Sequence, residues 1–144
     1  MKIAIGADHG GYELKEAVKV FLKKKGHEVK DFGTDSEGST DYNEFAIAVA
    51  ENVRDHNFDR GILICGTGVG MSIMANKVKG IRAALVHDVF TAEATRLHNN
   101  TNVLTMGGRV IGESLALKIV DVWVHTEFSK EDRHERRVSK IDNY

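Results

Sequence analysis

The sequence has 144 residues, of which 42% are hydrophobic and 28% charged, and its formal net charge is −1. A chain of this length is expected to form one domain, 1–144, that buries about 68–70% of its unfolded surface. The hydrophobic content argues against intrinsic disorder, and the near-neutral charge argues against broad nucleic-acid binding. No apolar run approaches the roughly 20 residues of a membrane helix, the N-terminus does not resemble a signal peptide, and one cysteine excludes an internal disulfide. We therefore expect a cytoplasmic protein with no membrane partner.

Apolar β-formers alternate with amphipathic segments along the whole chain, a pattern typical of βαβ units around a buried parallel sheet. Each strand signal is a short apolar run bounded by glycine or polar residues. Five strands are predicted, at Lys2–Ala7, Glu28–Phe32, Gly61–Cys65, Ile81–Val86 and Asn102–Met106. All five are expected to be parallel.

Helical periodicity fills the segments between and after these strands. The first helix places Leu14, Val18 and Leu22 on one face, and Gly26 is expected to end it. Five helices are predicted, at Tyr12–Lys24, Tyr42–Asp55, Val69–Lys77, Thr91–His98 and Glu113–Val124. The pattern therefore predicts an α/β three-layer sandwich with a five-stranded parallel sheet and a further helical segment at the C-terminus.

Ligands bind open parallel sheets at the carboxyl ends of the strands, where the loops enter the following helices. The first such loop is GADHGG, Gly6–Gly11, and the third is CGTGVG, Cys65–Gly70. The helix before the last strand ends in a segment that contains His98. One edge of the sheet is expected to gather Asp8, His9, Cys65, Thr67 and His98.

The CGTGVG loop leaves a run of backbone N–H groups before a helix, which suits a phosphate or a developing oxyanion. Its glycines, Gly66, Gly68 and Gly70, do not fit the dinucleotide or P-loop spacing. A purely structural strand-to-helix turn is the alternative. Cys65 is open to two interpretations as well, because free cysteines are often buried core residues, whereas a thiolate at a helix N-terminus can act as a base or a nucleophile.

The other polar candidates also have structural alternatives. Asp8 could orient a hydroxyl together with His9, or it could cap the first helix. His98 and Asn99 could be C-terminal caps. Arg133 and Arg137, four residues apart, could clamp a phosphate or lie on a solvated helix face. The seven histidines show no metal-ligand spacing, so no metal site is predicted.

Several segments together resemble the ribose-5-phosphate isomerase type B family, which also includes galactose-6-phosphate and allose-6-phosphate isomerases. The matching segments are GADHGG, DFGT, TDY, GILICGTGVGMSI, HNNTNVL and RHERRV, and they span nearly the whole chain. The resemblance implies a Rossmann-like or flavodoxin-like fold. It further implies an aldose–ketose isomerase without metal or cofactor that works through a cis-enediolate. It also implies a homodimer with shared active sites, which could assemble further into a tetramer.

The resemblance also assigns roles to individual residues. Cys65 is similar to the family's base, His98 to its ring-opening acid/base, and Thr67 to part of the anion hole. Asp8 and Asn99 would contact sugar oxygens and Tyr42 would border the sugar. The remaining substrate contacts are the anion-hole residues Gly66, Gly68, Val69 and Gly70 and the phosphate-binding residues His9, Arg109, Arg133 and Arg137.

Two departures from the family pattern stand out. Asn43 occupies a place where the family commonly has proline, and Glu131 with Asp132 replaces a frequent Gly-Gly pair. We expect these carboxylates to compete with phosphate for the guanidinium of Arg133. The alternatives to a ribose-5-phosphate isomerase are a six-carbon sugar-phosphate isomerase, a non-catalytic sugar-phosphate-binding subunit, and a nucleotide-binding module in which Asp31 binds a ribose.

Overall fold

The computed structural model describes all residues, 1–144. Its strands and helices alternate along the chain, as the sequence predicts. The strands are β1 (Lys2–Ala7), β2 (Glu28–Asp31), β3 (Arg60–Cys65), β4 (Ala83–Leu85) and β5 (Val103–Gly107). The helices are α1 (Tyr12–Lys24), α2 (Tyr42–Arg54), α3 (Val69–Ala75), α4 (Val89–Asn99), α5 (Glu113–His125) and α6 (Asp132–Asp142). All five predicted strands and all five predicted helices are present, and α6 is the predicted C-terminal helical segment.

The sheet is entirely parallel, with the strand order β2-β1-β3-β5-β4. In the central ladders Ile5 pairs with Ile62, and Ile62 pairs with Leu104. After β2 the chain crosses back over β1 to form β3, so the direction of winding changes between β1 and β3. Such a switch point opens a crevice at the carboxyl ends of the strands. The predicted α/β class and the parallel, Rossmann-like sheet are confirmed.

Two hydrophobic cores, one on each face of the sheet, produce three layers. On one face the alternate residues Ile3 and Ile5 pack with helices α1, α4 and α5, around a fully buried Trp123. On the other face Ala4 and Leu63 pack with α2 and α3. The helix α6 packs against α4. None of the helices has the length and apolar character needed to span a membrane.

β4 and α4 differ most from the predicted boundaries. β4 is shorter than predicted because it lies at the sheet edge and the N–H of Arg82 donates to the side chain of Asn102 at 2.8 Å, outside the strand ladder. α4 begins earlier because the carboxylate of Asp88 caps it, accepting the N–H of Thr91 at 2.7 Å. Both differences come from side-chain hydrogen bonds that hydrophobic periodicity does not detect.

A buried lysine joins α1 to β2. Lys15 is only 1% exposed, and its Nζ lies 2.8 Å from Asp31 Oδ2 and also donates to the carbonyl oxygen of Thr34. Lys19 Nζ reaches the same carboxylate at 2.7 Å. Burial alone would raise the pKa of Asp31, but the hydrogen bonds from Lys15 and Lys19 hold the pKa below 3.8. Asp31, which the nucleotide-binding alternative would use to bind a ribose, is therefore already bonded to two lysines.

We expect Asp31→Asn to lower the free energy of unfolding by about 3 kcal/mol, because it leaves the buried ammonium of Lys15 with only the half-exposed carboxylate of Glu16, 3.5 Å away. Urea denaturation at neutral pH measures the loss. Because the folded-state pKa of Asp31 is lowered, wild-type Asp31 stabilises the protein above pH 3.8 and this contribution disappears as the pH falls through the lowered pKa. Asp35→Asn, at an exposed carboxylate of the following loop, is the control. Equal unfolding midpoints for the two variants would contradict the prediction.

Candidate active site

Three loops meet at the carboxyl edge of the sheet and are bonded to one another. The N–H of Asp8, after β1, donates to the carbonyl oxygen of Ile64 at 3.3 Å. The N–H of Gly108, after β5, donates to the carbonyl oxygen of Cys65 at 2.8 Å, and the N–H of Arg109 donates to that of Gly66 at 3.0 Å. Because β1, β3 and β5 are neighbours in the sheet, their loops form one continuous rim.

Two glycines allow this close approach. A Cβ atom on Gly10 would lie 2.8 Å from the nitrogen of Gly66, so a larger residue would separate the first and third loops. Gly68 has a φ of +78°, and a Cβ there would lie 2.6 Å from Leu85 and 2.7 Å from the backbone of Met106. The CGTGVG loop therefore requires glycine at Gly68 for both backbone conformation and packing.

Cys65 is the last residue of β3 and lies both in the core and beside the glycine loop. It is 5% exposed and packs in the core with α2 and α3. At the same time its Sγ accepts the N–H of Gly68 at 3.1 Å. The sulfur is therefore in direct hydrogen-bond contact with the glycine loop that follows it.

The loop after Cys65 contains unpaired N–H groups. The backbone nitrogens of Gly66, Thr67 and Gly70 donate to no acceptor in the protein, whereas the N–H of Val69 donates to Thr67 Oγ1 at 3.3 Å. Thr67 itself is exposed on the rim. Free N–H groups beside a thiol can bind an anion or a developing oxyanion.

Asp8 and Tyr42 frame this loop on two sides. Asp8 is 6% exposed, and its Oδ1 accepts the N–H of Gly10 at 2.9 Å. The alternative in which Asp8 caps the first helix is wrong, because the N-cap of α1 is Gly11 and no side chain caps it. The ring of Tyr42 covers Gly70 so closely that a Cβ there would lie 2.6 Å from the ring.

His9 and Arg109 line a cleft of about 490 Å³ next to this rim. The nitrogen Nδ1 of His9 accepts the N–H of Thr40 at 3.2 Å, so a neutral ring carries its proton on Nε2 and can donate there. The guanidinium of Arg109 lies over Gly66, where a Cβ would be 3.2 Å from its Nη1. The cleft also contains three carboxylates that the sequence analysis did not anticipate, Glu13, Glu37 and Glu113.

His98 and Asn99 lie at the opposite edge of the sheet from Cys65, and the expectation that His98 shares the rim of its own chain is wrong. α4 starts at the carboxyl edge and runs back, so its last residues lie beside the amino end of β5. Arg96 confirms this position, since it donates to the carbonyl oxygen of Thr101, just before β5. The length of β3 alone, five residue steps, separates the two edges of the sheet by about 16 Å. The thiol and this imidazole therefore do not meet within one chain.

A second group of candidate residues forms around His98. The rings of His98 and His134 lie 4.6 Å apart, and His134 is held at Nδ1 by the hydroxyl of Ser129 at 2.7 Å. Burial lowers the pKa of His134, and the positive charge of Arg133 lowers it further. α6 thus brings Arg133 and Arg137 to the same end of the molecule as His98 and Asn99.

Glu131, which stands where the family often has glycine, contacts Arg133 as expected. The Nε atom of Arg133 lies 2.8 Å from Glu131 Oε2, and both side chains are more than half exposed. Arg137 has no ion-pair partner and is exposed. One chain therefore carries two separate groups of candidate residues. We call Asp8, His9, Tyr42, Cys65–Gly70 and Arg109 the thiol half-site, and His98, Asn99, Arg133 and Arg137 the imidazole half-site.

Comparison with known proteins identifies the family. A family model described as Ribose/Galactose Isomerase matches residues 3–141. Ribose-5-phosphate isomerase B of Escherichia coli (strain K12) is 48% identical, over 97% of this chain and 93% of its own length. The putative sugar phosphate isomerase YwlF of Bacillus subtilis is 53% identical, over 100% of this chain and 97% of its own. The structure of Clostridium thermocellum ribose-5-phosphate isomerase B matches with a TM-score of 0.97 and 54% identity, covering 99% of this chain and 96% of that one. This chain is therefore an isomerase that belongs to the ribose/galactose isomerase family.

Proposed function

We propose that this isomerase interconverts ribose-5-phosphate and ribulose-5-phosphate through a cis-enediolate, with Cys65 as the base. The observation that supports this most directly is a thiol whose Sγ accepts a loop N–H at 3.1 Å. Beside it lie three backbone N–H groups with no protein acceptor. An aldose–ketose isomerisation needs this combination, because a proton leaves carbon while negative charge develops on oxygen.

The proposed reaction moves one proton between two carbons. The Cys65 thiolate removes the proton from C2 of the open-chain aldose, and the electron pair of that C–H bond forms the C1–C2 double bond of the enediolate. The charge that develops on O1 is stabilised by the N–H groups of the Gly66–Gly70 loop, of which those of Gly66, Thr67 and Gly70 have no protein acceptor. Thr67 contributes its hydroxyl, and Val69 lines the same loop. In the cis-enediolate O1 and O2 lie side by side, so the proton of the O2 hydroxyl passes to O1. The thiol then returns its proton to C1, and the C2–O2 group becomes the ketone.

The remaining substrate contacts follow from the two half-sites. Asp8 and Asn99 would bind sugar hydroxyls, Tyr42 would border the sugar, and His98 would open the ring by acid/base catalysis. The phosphate would be held by His9, Arg109, Arg133 and Arg137, and a firm phosphate contact supplies binding energy that orients the reacting carbons.

We further propose a homodimer in which each active site combines the thiol half-site of one chain with the imidazole half-site of its partner. The separation of Cys65 from His98 across the sheet supports this arrangement. Charge complementarity supports it too, because α6 is basic at Arg133, Arg136 and Arg137, whereas the cleft beside Arg109 contains three glutamates. A twofold dimer would bury both surfaces at once.

Relatives named for other sugar phosphates make a second substrate class a specific alternative. Galactose-6-phosphate isomerase subunit LacB of Clostridium acetobutylicum is 43% identical over 99% of this chain. D-erythrulose-4-phosphate isomerase of Pectobacterium atrosepticum is 44% identical over 89%. The catalytic groups would serve all of these substrates, and only the distance from the thiol to the phosphate contacts would differ.

The experiment that tests the proposal compares kcat/KM of the purified chain for ribose-5-phosphate, allose-6-phosphate, galactose-6-phosphate and erythrulose-4-phosphate, each with EDTA present. We expect the highest value for ribose-5-phosphate and no effect of the chelator. A higher value for a four-carbon or six-carbon substrate would replace the proposed substrate. No turnover of any of them would favour a non-catalytic sugar-phosphate-binding subunit.

We expect Glu131→Gln to lower KM for ribose-5-phosphate by about two- to fivefold with little change in kcat. The carboxylate 2.8 Å from Arg133 competes with phosphate for the guanidinium, and an exposed ion pair of this kind is worth about 0.2–1 kcal/mol. Steady-state kinetics at low ionic strength measure the change. Glu135→Gln, in the first turn of α6 and without an ion-pair partner, is the matched control. An unchanged KM would show that Glu131 does not compete with the substrate.

A further inference from the structure

A second cleft, of about 500 Å³, opens at the amino edge of the sheet, at the opposite end of β3 from Cys65. Three arginines from three different elements line it: Arg60 begins β3, Arg82 precedes β4, and Arg96 lies on α4. Phe58 and the carboxylates Asp59 and Glu127 also contribute to its wall. We call this the amino-edge cleft, and neither proposed half-site uses its arginines.

The guanidinium groups of the amino-edge cleft are buried but only partly paired. Arg60 and Arg96 are 6% and 4% exposed. Arg60 Nη1 donates to the carbonyl oxygen of Trp123 at 2.7 Å, and Arg96 Nε donates to that of Thr126 at 3.1 Å. Arg96 Nη1 is also bonded, to Thr101 and Asn100. No hydrogen bond engages Arg60 Nε or Arg96 Nη2.

Carboxylates do not neutralise this cluster. Asp142 pairs with Arg82 at 2.7 Å, but Arg96 has no carboxylate partner. The only ion-pair partner of Arg60 is Glu127, 3.7 Å away on a side chain that is 82% exposed. The carboxylate of Asp59 lies beyond ion-pair distance and accepts the N–H of Lys2 at 2.6 Å. Burial and the positive charge of Arg60 lower the pKa of Arg96 to about 10. Buried charges without counter-ions are unfavourable in the folded state, so a bound anion would stabilise them.

We propose that the amino-edge cleft is a second anion-binding site, which takes the phosphate group of a small metabolite through Arg60 and Arg96. The unbonded Arg60 Nε and Arg96 Nη2 supply the donors, and guanidinium N–H groups form strong charge-assisted hydrogen bonds with phosphate oxygens. The cleft volume accommodates inorganic phosphate, pyrophosphate or a small phosphate ester. A bound anion would also connect Arg60 and Arg96 directly, whereas in the free protein both lie over the ring of Trp123 and donate to backbone carbonyls.

The test is a titration of the full-length, ¹⁵N-labelled protein with pyrophosphate, and in parallel with inorganic phosphate, at constant ionic strength. Backbone amide signals of Asn100, Thr101 and Thr126 report the amino-edge cleft, and those of Gly66–Gly70 report the thiol half-site. We expect the amino-edge signals to shift and saturate with a dissociation constant of about 1 mM or lower. Their shift is separate from any at Gly66–Gly70, so it does not depend on the proposed isomerase site. No saturable shift at Asn100, Thr101 and Thr126 would overturn the proposal.

A surface variant tests the same site by a gain of affinity, without risk to the fold. Glu127→Gln removes the only carboxylate within ion-pair distance of Arg60, and we expect it to tighten pyrophosphate binding at the amino-edge signals about threefold, the scale of one exposed ion pair. Glu93→Gln, at an exposed glutamate on α4, is the matched control and should leave the affinity unchanged. Equal affinities in the two variants would exclude Arg60 as a ligand and would overturn the proposal.

Discussion

Cys65→Ser is expected to lower kcat for ribose-5-phosphate by about 10³-fold while the protein remains folded. A hydroxyl is a much weaker acid than a thiol, so serine would not supply an anionic base at neutral pH, and proton transfer by a positioned base contributes about 10²–10⁴ in rate. Serine is close to cysteine in size, and its oxygen can accept the N–H of Gly68 that now reaches Sγ. The structural role of residue 65 would therefore be retained.

Two measurements separate loss of the base from loss of the site. In deuterated water, wild-type enzyme should exchange the transferred proton with solvent, and Cys65→Ser should lose this exchange in proportion to kcat. KM and the urea midpoint should stay close to wild type, with Cys65→Ala as a second variant that cannot act as a base. A Cys65→Ser enzyme that retains a tenth or more of the wild-type kcat would show that another group removes the proton.

The loops that carry the thiol half-site could be predicted from sequence because of how parallel strands are ordered. Ile62–Cys65 is an apolar run that ends at glycine, and in a parallel sheet its end must lie at the same edge as the end of Lys2–Ala7. Proximity of the Asp8–Gly11 and Gly66–Gly70 loops follows from that geometry. The chemistry at Cys65 was not decided by periodicity, since the same position is also a well-packed core site.

The position of His98 was mispredicted because the direction of its helix was not taken into account. α4 runs antiparallel to the strands, so residues at its C-terminus return to the amino edge. The buried ion pair of Lys15 cannot be predicted from the sequence pattern for a different reason. Lys15 follows Leu14 on the apolar face of α1, and its partner Asp31 is sixteen residues away. Long-range charge pairs and the acidic lining of the cleft near Arg109 depend on tertiary packing, which hydrophobic patterns do not encode.

A mixture of two inactive variants is expected to recover activity if the active site is shared between chains. Cys65→Ser disables the thiol half-site, and His98→Asn disables the imidazole half-site. In a dimer that contains one chain of each variant, one of the two sites combines the intact Cys65 with the intact His98. Random reassembly of equal amounts makes half of the dimers mixed, so about a quarter of the wild-type activity should return.

The matched control mixes two variants from the same half-site. Cys65→Ser and Asp8→Asn both alter the thiol half-site, so every site in their mixed dimer lacks either the base or the carboxylate, and no activity should return. The contrast between the two mixtures follows from the structure, because Asp8 and Cys65 lie on one rim whereas His98 lies at the far edge of the sheet. If the Cys65→Ser and His98→Asn mixture also stays inactive although size and mass measurements show mixed dimers, the two half-sites do not combine across chains. His98 would then have no route to the thiol, and its proposed role in ring opening would be wrong.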